Sequence, residues 1–282
     1  MVNLLAELIR NTEAVMIEEI VLSDIADVML MTKDHQYQAD IDRYRSSYFY
    51  RGVRDAGYDL STSLRRNCDE AAPQLEGAIL RNFTKYASIE DPTLGTSVWK
   101  QMIIGQHHGL PTRLLDWTQS SLVALSFATT EADPGMLDKR DCAVWRIDVR
   151  ELNKCLPPKY RDILDAQKSF IFSVSTLNSI VDSLKQYDED MGDRSFVCLE
   201  PPSVDQRIIN QYSFFSVIPS AITNISDFLE KCPARTVKYV IDKSLRWQLR
   251  DILDQLNINE RIMYPGLDGL SRWIARHYYK KR

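Results

Sequence analysis

The chain has 282 residues, 44% hydrophobic and 26% charged, which is an ordinary globular composition. Its formal net charge of -4 excludes a uniformly basic nucleic-acid-wrapping surface, although a local basic patch stays open because net charge does not report distribution. The five cysteines, Cys68, Cys142, Cys155, Cys198 and Cys232, form no CxxC, so neither a zinc knuckle nor a thioredoxin-type motif is present.

A chain of this length can bury its core without disulfide staples. Five widely spaced cysteines fit a reducing compartment, and a cytoplasmic location is expected. Met1 to Arg10 is a short helix-like run carrying Glu7 and lacks the form of a secretory signal. No run of eighteen apolar residues occurs, so no membrane span is expected. There is no internal repeat and no linker-like stretch, which predicts one domain over residues 1–282.

In chain order, Ser23 to Met31 reads as an amphipathic helix capped by Ser23. Tyr48-Phe49-Tyr50 is a strand ending at Arg51-Gly52, and Asp55-Ala56-Gly57 is a turn. Leu75, Ile79, Phe83 and Tyr86 mark the stripe of a helix. Val98, Met102 and Ile103 mark a second, closed by Gly109 and Pro111. A strand over Arg113 to Trp117 precedes a helix begun by Ser120 or Ser121, and Cys142 to Val149 alternates as a strand. Lys159 to Asp190 reads as helical, and 155–195 as a possible variable insertion. Strands at Phe196 to Leu199, Phe214 to Val217 and Thr236 to Ile241 alternate with helices at Asp205 to Gln211, Ser244 to Leu256 and Leu267 to His277. The order shows no βα repeat, which predicts α+β with a mixed, mostly antiparallel split sheet flanked by helices.

Polar and glycine residues are densest from Gln106 to Thr118, where a helix ends and a strand begins, a junction of the kind that carries function. His107 has an imidazole that titrates near neutrality. Arg113 offers a fork for phosphate or carboxylate, with Asp116 able to hold it; the same pair reads equally as a structural ion pair beneath Trp117. No third ligand accompanies His107 and His108, so no metal is expected. Arg51 is either an anion-binding arginine beside a glycine that admits a close neighbour or a surface charge at a turn. Ser61-Thr62-Ser63 with Arg65 and Arg66 is either a phosphate-binding group or, as is more usual, a helix cap with a solvated face. Gln211 ends a short helix with Gln206 and Arg207, and Glu200 is a carboxylate at a strand end. No phosphate loop, nucleophile elbow or HExxH is present.

The run Gln106-His107-His108-Gly109-Leu110-Pro111-Thr112-Arg113-Leu114-Leu115-Asp116-Trp117-Thr118 resembles the FRG-domain signature at every specified position. Tyr50-Arg51-Gly52 resembles the triplet that names that family, with Tyr for Phe. Ala124 to Ala128 and Ala143-Val144-Trp145 resemble its following helix and strand. Arg207-Ile208, Gln211 and Phe214 resemble a later family stretch, with Ser213 where glycine is usual. Tyr264 to Leu270 resembles the closing motif, and the resemblance covers about residues 20–275.

The order Arg51, then Thr118-Gln119-Ser120, then Gln211 or Glu200 is similar to that of ADP-ribosyltransferases of the Arg-Ser-Glu type. That similarity implies an ADP-ribosyltransferase-like fold and NAD as substrate. It assigns Arg51 to the diphosphate, Thr118 to the ribose, and Gln211 or Glu200 to the transition state. Tyr50, Gly52, His107, Arg113 and Asp116 would shape the nucleotide pocket. The implied partner is a macromolecular acceptor, protein or nucleic acid. A bacterial toxin or anti-phage effector, held in check by an antitoxin or other inhibitor, is the implied setting. The alternative is a non-catalytic nucleotide- or nucleic-acid-binding module using the same cleft.

Overall fold

The computed structural model describes residues 17–33, 36–92, 94–131 and 133–280; the run read at residues 1–10 lies outside them. The chain enters through β1 (Ile17–Leu22) and turns into α1 (Ile25–Met31). Asp24, not Ser23, caps this helix. Its backbone is extended, and its carboxylate accepts from the Ala26 amide at 2.6 Å. A hairpin of β2 (Gln36–Gln38) and β3 (Arg43–Arg45) leads to β4 (Tyr48–Val53), which continues through Gly52 instead of ending there.

Three helices follow, α2 (Ser63–Cys68), α3 (Ala72–Glu90) and α4 (Val98–His107). Thr62 caps α2 by accepting from the Arg65 amide, so the Ser61–Ser63 run is a cap. Then come β5 (Leu114–Thr118), α5 (Ser121–Thr129) and β6 (Cys142–Asp148). The middle of the chain holds α6 (Val149–Asn153), α7 (Pro158–Ala166), β7 (Phe172–Ser173), α8 (Val174–Asn178) and α9 (Leu184–Met191). The last part contains β8 (Val197–Glu200), α10 (Gln206–Asn210), β9 (Ser213–Val217), α11 (Ile225–Lys231) and β10 (Thr236–Ile241). Helices α12 (Arg246–Gln255), α13 (Glu260–Met263) and α14 (Leu267–His277) close it. Among the described residues no helix is long and apolar enough to cross a membrane.

Eight strands form one sheet in the order β1-β10-β6-β4-β5-β9-β8-β7. All neighbours are antiparallel except the outermost pairs, β1 with β10 and β7 with β8. The α+β class and the mostly antiparallel sheet expected from the sequence are therefore present. The central seam is weak. Strands β4 and β6 are paired from Tyr48↔Asp148 to Val53↔Ala143, and β5 and β9 from Leu114↔Val217 to Thr118↔Ser213. Between β4 and β5 only Tyr50↔Thr118 pair, and beyond that point the sheet splits.

Three apolar clusters cover the sheet. Phe49, Trp117, Trp145 and Phe196 lie in one, with α6 and α11 contributing Leu152 and Leu229. Tyr50, Val144 and Tyr239 pack against α5 and α12 through Leu125 and Leu249 on the opposite face. The third joins Trp99 and Ile103 of α4 to Val197 and Phe215 of the sheet. Residues 155–195 supply Tyr160, Phe172, Leu177 and Tyr187 to that third cluster and form its outer wall.

Two local features place the site. Helix α5 lies so close on β4 that a Cβ on Gly52 would stand 1.9 Å from the Ala124 carbonyl oxygen. The glycine thus admits a helix backbone. The free carbonyls at the end of α5 are met by buried arginines of α12: Arg246 Nη2 donates to Ala128 O at 3.1 Å and Arg250 Nη1 to Ser126 O at 3.3 Å. The stripe read on α3 identified the helix but not its buried face. Leu75 and Tyr86 are exposed, and Ala72, Glu76 and Leu80 face inward, because Glu76 is drawn in by a cation described below.

Candidate functional site

A cleft of about 500 Å³ opens where β4 and β5 part, reached by the end of α4, by α5 and by Tyr264. Arg51 fills the seam. Its Nη1 donates to the backbone carbonyl of Asp116 at 2.7 Å and lies 3.5 Å from that residue's Oδ2. Its Nε is buried without a hydrogen bond among the described residues. Burial pulls the guanidinium below its ordinary pKa, opposed by Asp116 and reinforced by Arg66. An arginine held in this way, with one-fifth of its side chain still open, can take an anion.

Asp116 is gripped from its other oxygen as well. Gln106 Nε2 donates to Oδ1 at 3.1 Å and to the Leu114 carbonyl at 3.3 Å, while the Thr112 hydroxyl donates to Gln106 Oε1. The Thr112 amide in turn donates to Ser63 Oγ at 3.1 Å. The signature run therefore folds back on itself, its first residue orienting the carboxylate ten positions later.

Arg113 pairs with Glu76 and Asp188 and not with Asp116. Arg113 is 6% exposed and points away from the cleft. Its Nε donates to Glu76 Oε1 at 2.7 Å, its Nη2 also meets that carboxylate, and its Nη1 meets Asp188 at 2.5 Å. Burial disfavours its charge, but the hydrogen bonds it donates to Glu76 and Asp188 prevail and raise its pKa. Arg113 lies just before β5 and turns to α3 and α9, whereas Asp116 lies within the strand at the cleft. The ion pair read as an alternative exists with other partners, contributed by α3 and α9.

His107 is also outside the cleft. Its Nε2 lies 2.5 Å from Asp205 Oδ2, while Asp205 Oδ1 caps α10 by accepting from the Ile208 amide at 2.9 Å. His107 thus fixes the helix that presents Arg207. Burial lowers its pKa against the pull of Asp205, with Arg207 and His108 adding to the depression. The His108 ring packs edge-on against it at 5.1 Å and is exposed.

Thr118 and Gln211 line the cleft with Arg51. The Thr118 hydroxyl accepts from the Ser120 amide at 3.1 Å. Gln211 is 8% exposed, and its Nε2 donates to the Met263 carbonyl at 2.8 Å. Glu200 is not brought there. It is exposed on β8, paired with Ser173 of β7, with β9 standing between β8 and β5. Tyr50, 2% exposed, and Gly52 also line the cleft, Tyr50 in the apolar cluster with α5 and Gly52 with the α5 backbone close against it.

The sequence did not single out Arg54 and Tyr58, which line the cleft just past β4. Their only signal was their distance from Arg51, because loop residues carry no periodicity. Arg207 and Tyr264 meet at the cleft rim, the guanidinium 5.2 Å from the ring centroid. Both lie in segments where the family resemblance was seen, but nothing local says that they touch.

A family model described as FRG domain matches residues 46–136. The matched residues contain Arg51, Gln106, Asp116 and Thr118; the resemblances read at Arg207–Phe214 and Tyr264–Leu270 lie beyond them and reach the same cleft. No curated protein and no solved structure matches the chain.

Proposed function

We propose that the cleft of this chain, whose residues 46–136 match the FRG-domain model, takes NAD as a substrate and transfers ADP-ribose to a macromolecular acceptor, protein or nucleic acid. One observation carries this reading: Arg51, Thr118 and Gln211, far apart in sequence, line a single cleft at the split of the sheet. Its volume falls in the range of about 300–1,000 Å³ usual for small-molecule sites.

In this reading Arg51 anchors the diphosphate, with Arg54 and Arg207 adding positive charge on either side. Thr118, its oxygen already accepting from Ser120, keeps its proton free to donate to the nicotinamide ribose. Gln211, pinned by Met263, orients that ribose from the facing wall. Aromatic surface from Tyr58 and Tyr264 suits a base or nicotinamide ring. In the transfer the bond from the anomeric carbon to nicotinamide breaks, its electron pair returning to the ring nitrogen. An acceptor lone pair forms the new bond and the acceptor loses a proton. Consumption of NAD suits a growth-arresting toxin or anti-phage effector acting on a cytoplasmic pool under the control of an inhibitor protein.

The second reading, a binding module without turnover, is favoured by one placement. The late position in the cleft is the amide Gln211, and Glu200 is elsewhere.

The test is incubation with NAD labelled on the adenylate, together with cell RNA, DNA and lysate protein. Label moving to one macromolecule class, and lost in Arg51→Ala, supports the transferase and names its acceptor. Saturable NAD binding without nicotinamide release selects the binding module. Absence of both overturns NAD as the ligand.

A further inference from the structure

We propose that Asp116 is the general base of the transfer, the group that takes the proton from the attacking acceptor. The proposal rests on the ADP-ribosyl transfer reading above. That reaction leaves a proton to be removed from an oxygen or nitrogen nucleophile, and a positioned carboxylate or imidazole within reach of the cleft is the usual agent. The candidates are few. Arginines cannot accept a proton, and Thr118 and Gln211 are poor bases at neutral pH. His107 faces Asp205, and Glu200 lies on another strand. Among the described residues lining the cleft, Asp116 is the one carboxylate.

Its setting is that of a built site. Leu115 and Trp117, its neighbours on β5, are 1% and 3% exposed, while the Asp116 side chain is 57% exposed in the cleft. A carboxylate whose task was only to neutralise Arg51 would need one oxygen turned to the guanidinium. Here the second oxygen is also fixed, by Gln106, whose amide cannot turn over because Thr112 donates to its oxygen and Leu114 accepts from its nitrogen. Each carboxylate oxygen has two acceptor sites. One contact on each therefore orients the group and leaves lone pairs open to the cleft. Its contact with Arg51 sets the base beside the residue assigned to the diphosphate. The acceptor lone pair forms the bond to the anomeric carbon, nicotinamide leaves with the electron pair of the broken bond, and the acceptor proton passes to the Asp116 carboxylate and then to water.

The experiment measures NAD affinity by calorimetry and transfer rates across pH for the wild-type protein, Asp116→Asn and Asp116→Ala, the last with and without formate. Asn keeps the volume and an acceptor oxygen, and the site is exposed, so Asp116→Asn keeps the wild-type unfolding midpoint. The expected result is a Kd for NAD within about threefold of wild type and a kcat lower by about 10²–10⁴-fold. The acid limb of the pH-rate profile disappears in Asp116→Asn, and formate restores part of the rate of Asp116→Ala. A kcat equal to wild type in Asp116→Asn overturns the proposal. So does a Kd that weakens as much as in Arg51→Ala with kcat unchanged, which would make Asp116 a positioning residue for Arg51. A wild-type protein that neither binds nor consumes NAD overturns the transferase reading itself, and an unaltered Asp116→Asn in an active protein overturns only the base.

Discussion

The Arg51 guanidinium donates to the Asp116 backbone carbonyl at 2.7 Å where β4 and β5 have stopped pairing. It occupies the place of a ladder hydrogen bond, so the split of the sheet is held open and satisfied by the same side chain. Lysine cannot reproduce a fork that serves a carbonyl, a carboxylate and a ligand together. Arg51→Lys is expected to weaken NAD binding about ten- to a hundredfold, the equivalent of losing a charged hydrogen bond of about 1.5–3 kcal/mol. Titration of NAD into the two proteins checks this, and an unchanged Kd removes Arg51 from the diphosphate site.

Gly52 is a packing requirement. A methyl group there would meet the Ala124 carbonyl oxygen at 1.9 Å and the Ala128 amide nitrogen at 2.6 Å, both backbone atoms that cannot swing aside. Gly52→Ala is expected to destabilise the fold by about 3 kcal/mol or more, at or above the upper end of ordinary overpacking, because α5 must shift as a body. Urea unfolding reads the change directly. A midpoint equal to wild type contradicts the close approach of α5 to β4.

The Arg113 cluster carries stability. Arg113→Leu leaves Glu76 buried without its partner and is expected to cost about 3–5 kcal/mol, while Arg113→Leu combined with Glu76→Leu recovers much of the loss. A double-mutant cycle measures this. If Arg113→Leu is instead as stable as wild type but cannot bind NAD, the assignment of Arg113 to the cluster with Glu76 and Asp188 fails.

His107 supplies a pH dependence with a definite sign. Its folded pKa lies below the ordinary 6.5, first through burial. Below pH 6.5 the unfolded chain takes up a proton that the folded chain refuses, so the unfolded state binds more protons. The contribution is complete above 6.5 and is lost as pH falls through the lower folded value. Unfolding midpoints in the wild type should therefore decline more steeply than in His107→Gln as pH falls below about 6.5. Equal slopes would show that this imidazole titrates alike in both states.

The amino-acid sequence by itself determined the elements with strong local signals. Residues such as Val98 to Ile103, Cys142 to Val149 and Thr236 to Ile241 state their period. Gly109, with φ of 90°, states where one segment ends, and Ser120, which caps α5, where the next begins. The same sequence pointed to Arg51, Thr118, Gln211 and the stretch from Gln106 as the place to look. Some short elements escaped it, among them β1 and α11, while others of the same length, such as β10, stood out. Only the tertiary structure decided partners. It gave Asp116 to Arg51 and Arg113 to Glu76, turned His107 onto Asp205, and left Glu200 outside the cleft. An extended strand sends successive side chains to opposite faces, and which face meets a cleft, a helix or a buried carboxylate depends on segments 37 to 98 residues away. No local pattern encodes such distances.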